Sequence, residues 1–258
     1  MVQPRRIELH GQPIGTGAFP SIIVPLVGRT VAEVRAELAA IVPKQPDLLE
    51  WRIDGFEGIA DTALMVDMAR EIKRAARHLP LLLTRRHTRE GGQAIALAEP
   101  DVVALYARLC EAGCVDFIDY ELSNAREQLA HLRAVSARCG VGMILSYHNF
   151  QSTPDFDTLL GTFAEAERLG ADIAKVAVMP EAPQDVLTLL GATCKASQTL
   201  GIPLIGISMG GLGAVSRIMG WQFGSAATFA VGKSGSAPGQ LAVEDLRAVL
   251  ATVRQAAR

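Results

Sequence analysis

Several features that would direct a protein to a membrane or to nucleic acid are missing from this sequence. No apolar stretch reaches the roughly 18 residues that a helix needs to cross a bilayer. The first residues, "MVQPRRIELHGQP", lack the apolar core of a signal peptide. The formal net charge is −2 and the sequence contains no block of basic residues, which argues against a nucleic-acid partner. We therefore expect a soluble cytoplasmic protein that binds neither membranes nor nucleic acids.

Cysteine and histidine are too few and too scattered to suggest a metal site. The four cysteines, at positions 110, 114, 139 and 194, form no CxxC pair. Cys110 and Cys114 are four residues apart in a helical pattern, which suits core packing better than zinc binding. The five histidines form no HxH or HxxxH pair. We predict structural thiols and no metal.

Eight short apolar runs rich in β-forming residues alternate with helical patterns along the chain. They lie at 22–27, 48–54, 81–86, 116–122, 142–148, 173–179, 203–209 and 225–231. Strands that alternate with helices at this spacing predict βαβ units and a parallel sheet. Eight such units in about 250 residues favour one (β/α)₈ TIM barrel. We predict a single barrel domain over 1–258, with a short β-hairpin around His10-Gly11 at its start.

Polar residues concentrate toward the ends of the predicted strands, where a barrel of this kind has its active site. They are Glu50, Arg52, Asp54, Arg85, Arg86, Asp119, Glu121, Ser146, His148 and Ser208. The two-residue period of a strand places side chains at alternate positions on one face. We expect these polar side chains to converge at one mouth of the barrel.

Lysine is scarce in this chain, and one lysine stands alone in an apolar strand. Lysines occur only at positions 44, 73, 175, 195 and 233, and Lys175 lies within "ADIAKVAVMP" (171–180). Burial disfavours the charged ammonium, so a buried lysine is either paired or reactive. A neutral amine can attack a ketone or aldehyde and form a Schiff base. The alternative is a structural ion pair, for which Glu50 and Glu121 are the candidate partners.

His148 ends the strand before the one that carries Lys175. Neighbouring strands lie about 4.8 Å apart, so the two side chains can meet in the mouth. An imidazole that titrates near neutrality there would be a proton shuttle. Glu90, in the loop "TRRHTREGGQ" (84–93), could reach His148 and set its tautomer. The alternative is that Glu90 is an exposed carboxylate of the loop and does not contact His148.

Two glycine-containing loops follow the last strands. "SMGGLGAVSR" (208–217) does not fit the dinucleotide pattern GxGxxG. It suits close approach of the backbone to a ligand, with Arg217 binding a carboxylate or phosphate. In "KSGSAPGQL" (233–241), Ser236 and Gln240 could hydrogen-bond a hydroxylated ligand, and the Pro-Gly pair indicates a loop able to act as a lid.

Together these segments resemble the type I 3-dehydroquinate dehydratases. The matching motifs run in the family's order along the whole chain: "EWRID", "TRRHTREGG", "DFIDYEL", "SYHNF", "GADIAKVAVMP", "DVLTLL", "SMGGLGAVSR", "FGSAATFA" and "SAPGQL". The resemblance implies a (β/α)₈ barrel, a homodimer, and no metal or organic cofactor. It also implies conversion of 3-dehydroquinate to 3-dehydroshikimate in the shikimate pathway of aromatic amino-acid biosynthesis.

The resemblance assigns roles to particular residues. It implies that Lys175 forms the Schiff base, that His148 is the general acid and base, and that Glu90 orients the histidine. The residues that it places around the substrate are Glu50, Arg52, Arg86, Met209, Arg217, Phe229, Ser236 and Gln240. In this picture Lys175 condenses with the ring ketone, and His148 removes a proton next to the iminium and returns it to the departing hydroxyl, a syn elimination.

Two positions depart from the family pattern. Asn149 stands where the family often has aspartate, and Pro25 stands where it often has serine. We expect the first change to remove a negative charge beside His148 and the second to remove a hydroxyl contact to the ligand.

Two alternatives compete with the dehydratase. A Schiff-base aldolase acting on a phosphorylated sugar would need an anion site after the last two strands, which the glycine-rich loop partly allows. A non-catalytic barrel that binds a hydroxylated acid would have little reason to keep Lys175, His148 and Glu90 together. Turnover tests with both classes of substrate separate these alternatives.

Overall fold

The structure, a computed structural model, describes residues 7–9, 12–14, 19–77 and 79–256. A short antiparallel hairpin pairs Ile7–Leu9 (β1) with Gln12–Ile14 (β2). This confirms the predicted N-terminal hairpin, although its turn at His10-Gly11 lies outside the described residues. No helix in the described ranges combines the length and the apolar character that crossing a membrane requires.

Eight further strands form one parallel sheet. They are Ser21–Leu26 (β3), Leu48–Arg52 (β4), Leu81–Thr84 (β5), Phe117–Glu121 (β6), Gly142–Asn149 (β7), Ile173–Val178 (β8), Leu204–Ser208 (β9) and Ala227–Phe229 (β10). Most of the predicted runs extend one or two residues beyond the observed strand, because their last residues leave the sheet to build the mouth.

Helices alternate with these strands. The α-helices of the described residues are Val31–Ile41 (α1), Thr62–Ala76 (α2), Glu99–Glu111 (α3), Arg126–Cys139 (α4), Phe156–Arg168 (α5), Pro183–Thr199 (α6), Ala214–Met219 (α7) and Val243–Ala256 (α8). Side-chain caps mark several starts: Asp61 accepts the N–H groups of Ala63 and Leu64, and Asp155 accepts that of Thr158.

The strands close into a barrel. Their order is β10-β3-β4-β5-β6-β7-β8-β9, with every neighbouring pair parallel. The remaining gap between β9 and β10 is bridged where Leu204 pairs with Ser225 and where the N–H of Ala226 donates to the Leu204 carbonyl at 2.6 Å. The (β/α)₈ barrel predicted from the sequence is therefore confirmed.

The core has two parts. The larger part lies between the sheet and the helices and includes Trp51, Tyr106, Cys110 and Cys114. All four cysteines are free. The smaller part fills the barrel interior: Ile14 from the hairpin belongs to it, and it extends to Met209 and Phe229 at the mouth. Apolar packing therefore fills the interior of the barrel and supplies part of the cavity wall beside the polar side chains.

Three aspartates tie neighbouring strands together at the lower end of the barrel. Asp47, Asp116 and Asp172 each precede an alternate strand, β4, β6 and β8, and each accepts a backbone N–H from the strand before it. The donors are Ile22, Leu81 and Met143, at 2.7, 2.8 and 2.9 Å. Asp172 also pairs with Arg133 at 2.5 Å. Hydrogen bonds to charged groups are worth more than neutral ones, so this repeat stabilises the strand order.

We expect Asp172→Ala to lower the free energy of unfolding by about 2–3 kcal/mol, because both Arg133 and the Met143 N–H lose an acceptor. Thermal and urea unfolding measure the change. The control is Asp67→Ala, whose side chain is 76% exposed and lies 3.8 Å from Arg70. The control should shift stability by less than about 0.5 kcal/mol. Equal losses in both variants would contradict the structural role of Asp172.

Candidate active site

The C-terminal ends of the strands surround a cavity. All eleven site residues predicted from the sequence line it: Glu50, Arg52, Arg86, Glu90, His148, Lys175, Met209, Arg217, Phe229, Ser236 and Gln240. Gly91, Phe150, Ile207 and Ala237 also line the cavity, and sequence reasoning did not assign them to the site. The structure thus brings together side chains from across the chain at the expected mouth.

Lys175 projects from the middle of β8 into the cavity. Its Nζ lies 3.0 Å from Asp119 Oδ2 and 4.6 Å from the centroid of the Phe229 ring, and its side chain is 5% exposed. The predicted partners, Glu50 and Glu121, were wrong. Glu50 accepts from the Thr84 hydroxyl, and Glu121 accepts from the Arg86 guanidinium and the His87 N–H, so both carboxylates are engaged elsewhere.

Asp119 is fully buried on β6, between two cations. Its Oδ2 contacts Lys175, and its Oδ1 accepts from Ser146 Oγ at 2.5 Å and forms an ion pair with Arg86 Nη2 at 2.9 Å. Burial opposes ionisation of this carboxyl, but the Arg86 and Lys175 cations outweigh it and lower the pKa of Asp119 to about 2. Asp119 is therefore a carboxylate throughout the neutral pH range.

Strand register explains why His148 and Lys175 share the mouth. Ser146 of β7 lies directly opposite Lys175 of β8, and His148 lies opposite Ala177. Because side chains alternate between faces, residues 146 and 148 both point inward with Lys175. The histidine and the lysine are thus diagonal neighbours on adjacent strands, with small Ala177 beside them.

Glu90 contacts His148 at its backbone N–H and at its ring nitrogen Nδ1. Its Oε2 accepts the backbone N–H of His148 at 2.9 Å and lies 3.0 Å from His148 Nδ1, while its Oε1 accepts from Ser123 Oγ at 2.9 Å. In its ionised form Glu90 can only accept, and the imidazole proton then lies on Nδ1. Nε2 is then the nitrogen with a free lone pair, and it is the candidate base.

Burial dominates the titration of this pair. Burial, together with the Glu121 carboxylate, raises the pKa of Glu90 to about 7. Burial and the cations Arg86, Lys175 and Arg52 hold the pKa of His148 well below its usual value. The sequence predicted an imidazole that titrates near neutrality; in the free protein it is instead neutral there, ready to accept a proton.

The turn that carries Glu90 depends on glycine. Residues Thr88–Glu90 form a 3₁₀ turn, and Gly91 follows it with φ of 82°. A Cβ at Gly91 would lie 2.4 Å from the Phe150 ring, and one at Gly92 would lie 1.8 Å from the Arg86 carbonyl oxygen. Larger residues would push this turn, and the Glu90 carboxylate with it, away from His148.

Charged pairs cover one wall of the cavity. Arg52 forms two hydrogen bonds of 2.9 Å to Asp54. Burial disfavours the Arg86 cation, but Asp119, Glu121, Glu90 and Glu50 together raise its pKa above the ordinary value. The guanidinium of Arg86 also donates to Ser146 at 2.8 Å. Arg86 therefore lines the cavity but already has most of its donors occupied by protein.

Arg217 is different, because no carboxylate among residues 19–77 and 79–256 pairs with it. Its side chain is buried, and its Nη2 donates to the Pro238 carbonyl at 2.8 Å. Burial lowers the pKa of Arg217 to about 10, which leaves it a cation at neutral pH. A buried cation with spare donors is suited to bind an anionic ligand.

The glycine-rich loop brings Arg217 to this position. A Cβ at Gly213 would lie 2.1 Å from the Ser208 carbonyl oxygen, so the chain can turn sharply there only with glycine. Ser216 then hydrogen-bonds both the N–H and the carbonyl of Ser208. The loop thus serves the turn into α7.

Ser236 and Gln240 lie in the loop above the cavity and hydrogen-bond each other. Gln240 Oε1 accepts the Ser236 N–H at 2.9 Å, and Gln240 Nε2 donates to Ser236 Oγ at 3.2 Å. The loop is connected to the glycine-rich segment where the Gly210 N–H and Arg217 both donate to the Pro238 carbonyl. Both ligand-facing side chains are therefore held in place over the mouth.

The two departures from the family pattern have different outcomes. Asn149 Oδ1 accepts the N–H groups of Gln151 and Ser152 at 2.9 and 3.1 Å, and strand alternation places it on the opposite face from His148. Its side chain thus serves the turn after β7. Pro25 is buried on the inward face of β3 opposite Glu50 and offers the cavity no hydroxyl.

Asp119 and Ser146 are the important residues that sequence reasoning left without a role. Both were noted as polar positions near strand ends. The signal that could have found Asp119 is the alternation in "DFIDYEL", which places residues 117, 119 and 121 on one face. Within the part of the chain that the structure describes, no cluster of three or more histidine, cysteine or acidic side chains is arranged to hold a metal ion.

Comparison with known proteins gives one consistent result. The sequence model of the family described as type I 3-dehydroquinase matches residues 22–257. The 3-dehydroquinate dehydratase of Albidiferax ferrireducens is 53% identical over 256 residues, covering 99% of this chain and 97% of the relative.

Solved structures agree. The crystal structure of 3-dehydroquinate dehydratase from Geobacillus kaustophilus is 46% identical, covers 99% of both chains and superposes with a TM-score of 0.96. The type I enzyme from Clostridium difficile, solved with covalently modified comenic acid, is 32% identical, with a TM-score of 0.93 over 98% of this chain and 99% of that one. With matching motifs, fold and cavity, the chain belongs to the type I 3-dehydroquinase family.

Proposed function

We propose that this chain removes water from 3-dehydroquinate to give 3-dehydroshikimate, through a Schiff base on Lys175. The observation that carries the proposal is the buried Lys175 amine in one cavity with the His148–Glu90 pair and with Arg217, which pairs with no carboxylate of the described residues. Family membership supports this reaction, which belongs to the shikimate pathway of aromatic amino-acid biosynthesis. The protein's own side chains supply the chemistry, and the reaction uses no metal or organic cofactor.

The substrate's charge and shape match the cavity. Its carboxylate binds Arg217, whose buried guanidinium lacks an anionic partner among the described residues. Its hydroxyls face the polar wall of Glu50, Arg52 and Arg86. Its ring packs against Met209 and Phe229, and Ser236 and Gln240 close the loop over it. This arrangement leaves the ring ketone beside Lys175.

Imine formation is the first chemical stage. The neutral amine of Lys175 adds to the ketone carbon and gives a carbinolamine. The imidazole of His148 assists the loss of water, because its neutral form can exchange protons through Nε2 while Glu90 holds Nδ1. The product is an iminium ion, which withdraws electrons from the adjacent carbon and acidifies it.

Elimination follows on the same face. Nε2 of His148 removes a proton from the carbon next to the iminium, and the electron pair moves to form an enamine. The enamine expels the tertiary hydroxyl, which leaves as water with the proton that His148 returns. Hydrolysis of the remaining imine releases the product and restores Lys175. One imidazole thus acts as base and then as acid, while the Glu90 carboxylate stabilises its charged form.

The two alternatives fit less well. An aldolase for phosphorylated sugars needs several backbone N–H groups turned toward a phosphate, whereas here the side chains of Arg52, Arg86 and Arg217 supply the donors that line the cavity. A non-catalytic binder gains nothing from a buried reactive amine. We also propose that the whole chain, 1–258, acts as one catalytic domain, assembles as a homodimer and works in the cytoplasm.

We expect incubation with 3-dehydroquinate and borohydride to give one reduced adduct, located on Lys175 by intact mass and peptide mapping. Lys175→Ala should give no adduct and lower kcat at least about 10⁴-fold, because the nucleophile is lost. Lys195→Ala, which removes an exposed lysine, is the control and should keep both adduct and activity. His148→Ala should still form the adduct but lose about 10³-fold in kcat.

Dehydration without any adduct would disprove the Schiff-base route and leave Lys175 a structural cation. Turnover of a phosphorylated ketose, without turnover of 3-dehydroquinate, would instead favour the aldolase.

We expect Glu90→Gln to move the acid limb of the kcat/KM profile to lower pH by about one unit. The Glu90 carboxylate stabilises the His148 imidazolium, so its removal lowers the histidine pKa further and keeps the base neutral in more acidic solution. The acid limb of the wild type reflects the coupled titration of His148 and Glu90, and burial raises the pKa of Glu90 to about 7. Glu181→Gln, an exposed control, should leave the profile unchanged. A limb that moves to higher pH would refute this electrostatic role.

We expect Arg217→Met to raise KM for 3-dehydroquinate about 100-fold, because the substrate carboxylate loses a buried cation. Binding of 3-dehydroshikimate and of its methyl ester separates this effect from a disturbed loop. The wild type should strongly prefer the free acid, and Arg217→Met should bind both with similar affinity. A variant that keeps the full preference would show that the carboxylate binds elsewhere.

A further inference from the structure

Asp119 has no part in the mechanism above, yet it makes the closest polar contact of the reactive lysine. It is fully buried, and it lies on a strand two positions away from β8 in the barrel. The strand between them, β7, contributes Ser146, which hydrogen-bonds the same carboxylate. A buried carboxylate directed at a reacting nitrogen is a candidate participant in the reaction.

Both carboxylate oxygens of Asp119 have partners. Oδ1 accepts from Ser146 at 2.5 Å and forms an ion pair with Arg86 at 2.9 Å, while Oδ2 lies 3.0 Å from Lys175 Nζ. Arg86 in turn donates to Glu121 at 3.1 Å. Both partners of Oδ1 are themselves buried, and their contacts turn Oδ2 toward Lys175.

The chemistry at Nζ reduces the number of N–H groups step by step. The ammonium has three, the neutral amine two, and the protonated imine one. When the imine forms, nitrogen bonds to the ketone carbon, and the ketone oxygen leaves as water with one N–H proton and one proton supplied by a donor. The nitrogen that remains is planar, carries positive charge and has a single N–H.

We propose that Asp119 is the counterion of this imine and that its Oδ2 accepts the one remaining N–H. The inference rests on the proposed function, because it requires the Schiff base on Lys175. The planar imine nitrogen has three substituents. Its N–H points at Oδ2 and a second bond goes to the lysine Cε, so the third direction, toward the substrate carbon, is determined. Asp119 thus fixes the plane of the imine as well as stabilising its charge.

The groups around Asp119 suit a permanent anion. Arg86 and Ser146 face it from the end of β5 and from β7, Lys175 faces it from β8, and Glu121 shares its own strand. Tyr106 of α3 donates to the Asp119 backbone carbonyl at 3.0 Å. The cations keep the Asp119 pKa near 2, so it holds charge and leaves proton transfer to His148.

Asp119→Asn and Glu121→Gln form a matched pair that tests the proposal. Each variant neutralises one inward carboxylate of β6 that pairs with Arg86, and only Asp119 also contacts Lys175. Single-turnover reactions with 3-dehydroquinate, stopped with borohydride at successive times, give the rate of imine formation and the fraction of enzyme trapped. Circular dichroism and thermal unfolding report whether both variants are folded.

We expect Asp119→Asn to lower kcat at least 100-fold and to reduce the trapped fraction, with a smaller change in KM. The neutral side chain no longer balances the charge of the protonated imine, so less adduct accumulates. Glu121→Gln should lose less than about tenfold in kcat and keep the trapped fraction. Values of kcat and trapped fraction that agree within threefold between the two variants would overturn the proposal.

Ser146→Ala is the second variant, and it decides the matter if Asp119→Asn fails to fold. It leaves Asp119 and Lys175 in place and removes the hydroxyl that fixes Oδ1. We expect imine formation to slow about tenfold with KM unchanged, and an unchanged rate would overturn the proposal. If the wild type itself forms no adduct, the Schiff base fails; if it does and Asp119→Asn matches it, only the role of Asp119 fails.

Discussion

The site depends on one constraint: ionisable side chains at the mouth of the barrel are withdrawn from water and must compensate one another. Asp119, Lys175 and Arg86 are each at most about 5% exposed. A buried charge without a partner costs several kcal/mol, and removing one member of a buried pair leaves the other uncompensated. The carboxylates of β6 therefore hold two cations in place, and the rest of the site is arranged around them.

The same constraint distinguishes Arg86 from Arg217, two of the arginines that line the cavity. Arg86 is surrounded by Asp119, Glu121 and Ser146, so its donors are largely satisfied by protein. Arg217 is as deeply buried, but its contact to protein is a backbone carbonyl, and no carboxylate of the described ranges pairs with it. One guanidinium thus organises the site, and the other is left for a ligand that brings its own negative charge.

The sequence predicted the barrel and its strand positions correctly, and all eleven side chains that it placed at the site line the cavity. Periodicity and strand ends were sufficient there, because parallel strands bring their C-terminal ends to one mouth whatever the details of packing. It failed on the partner of Lys175. The choice among Glu50, Asp119 and Glu121 depends on stagger between strands and on which carboxylates Thr84 and Arg86 already occupy, and neither can be read from spacing.

The pKa of His148 was the other property that the sequence could not settle. A histidine at a strand end suggests a pKa near neutrality, but three surrounding cations and burial keep His148 neutral in the free protein. In the proposed reaction His148 acts first as a base, and a neutral imidazole can accept that proton. Transfer of a substrate proton to Nε2 leaves an imidazolium that the Glu90 carboxylate beside Nδ1 stabilises. The Asp119 carboxylate remains charged because its cations, Arg86 and Lys175, stay in place.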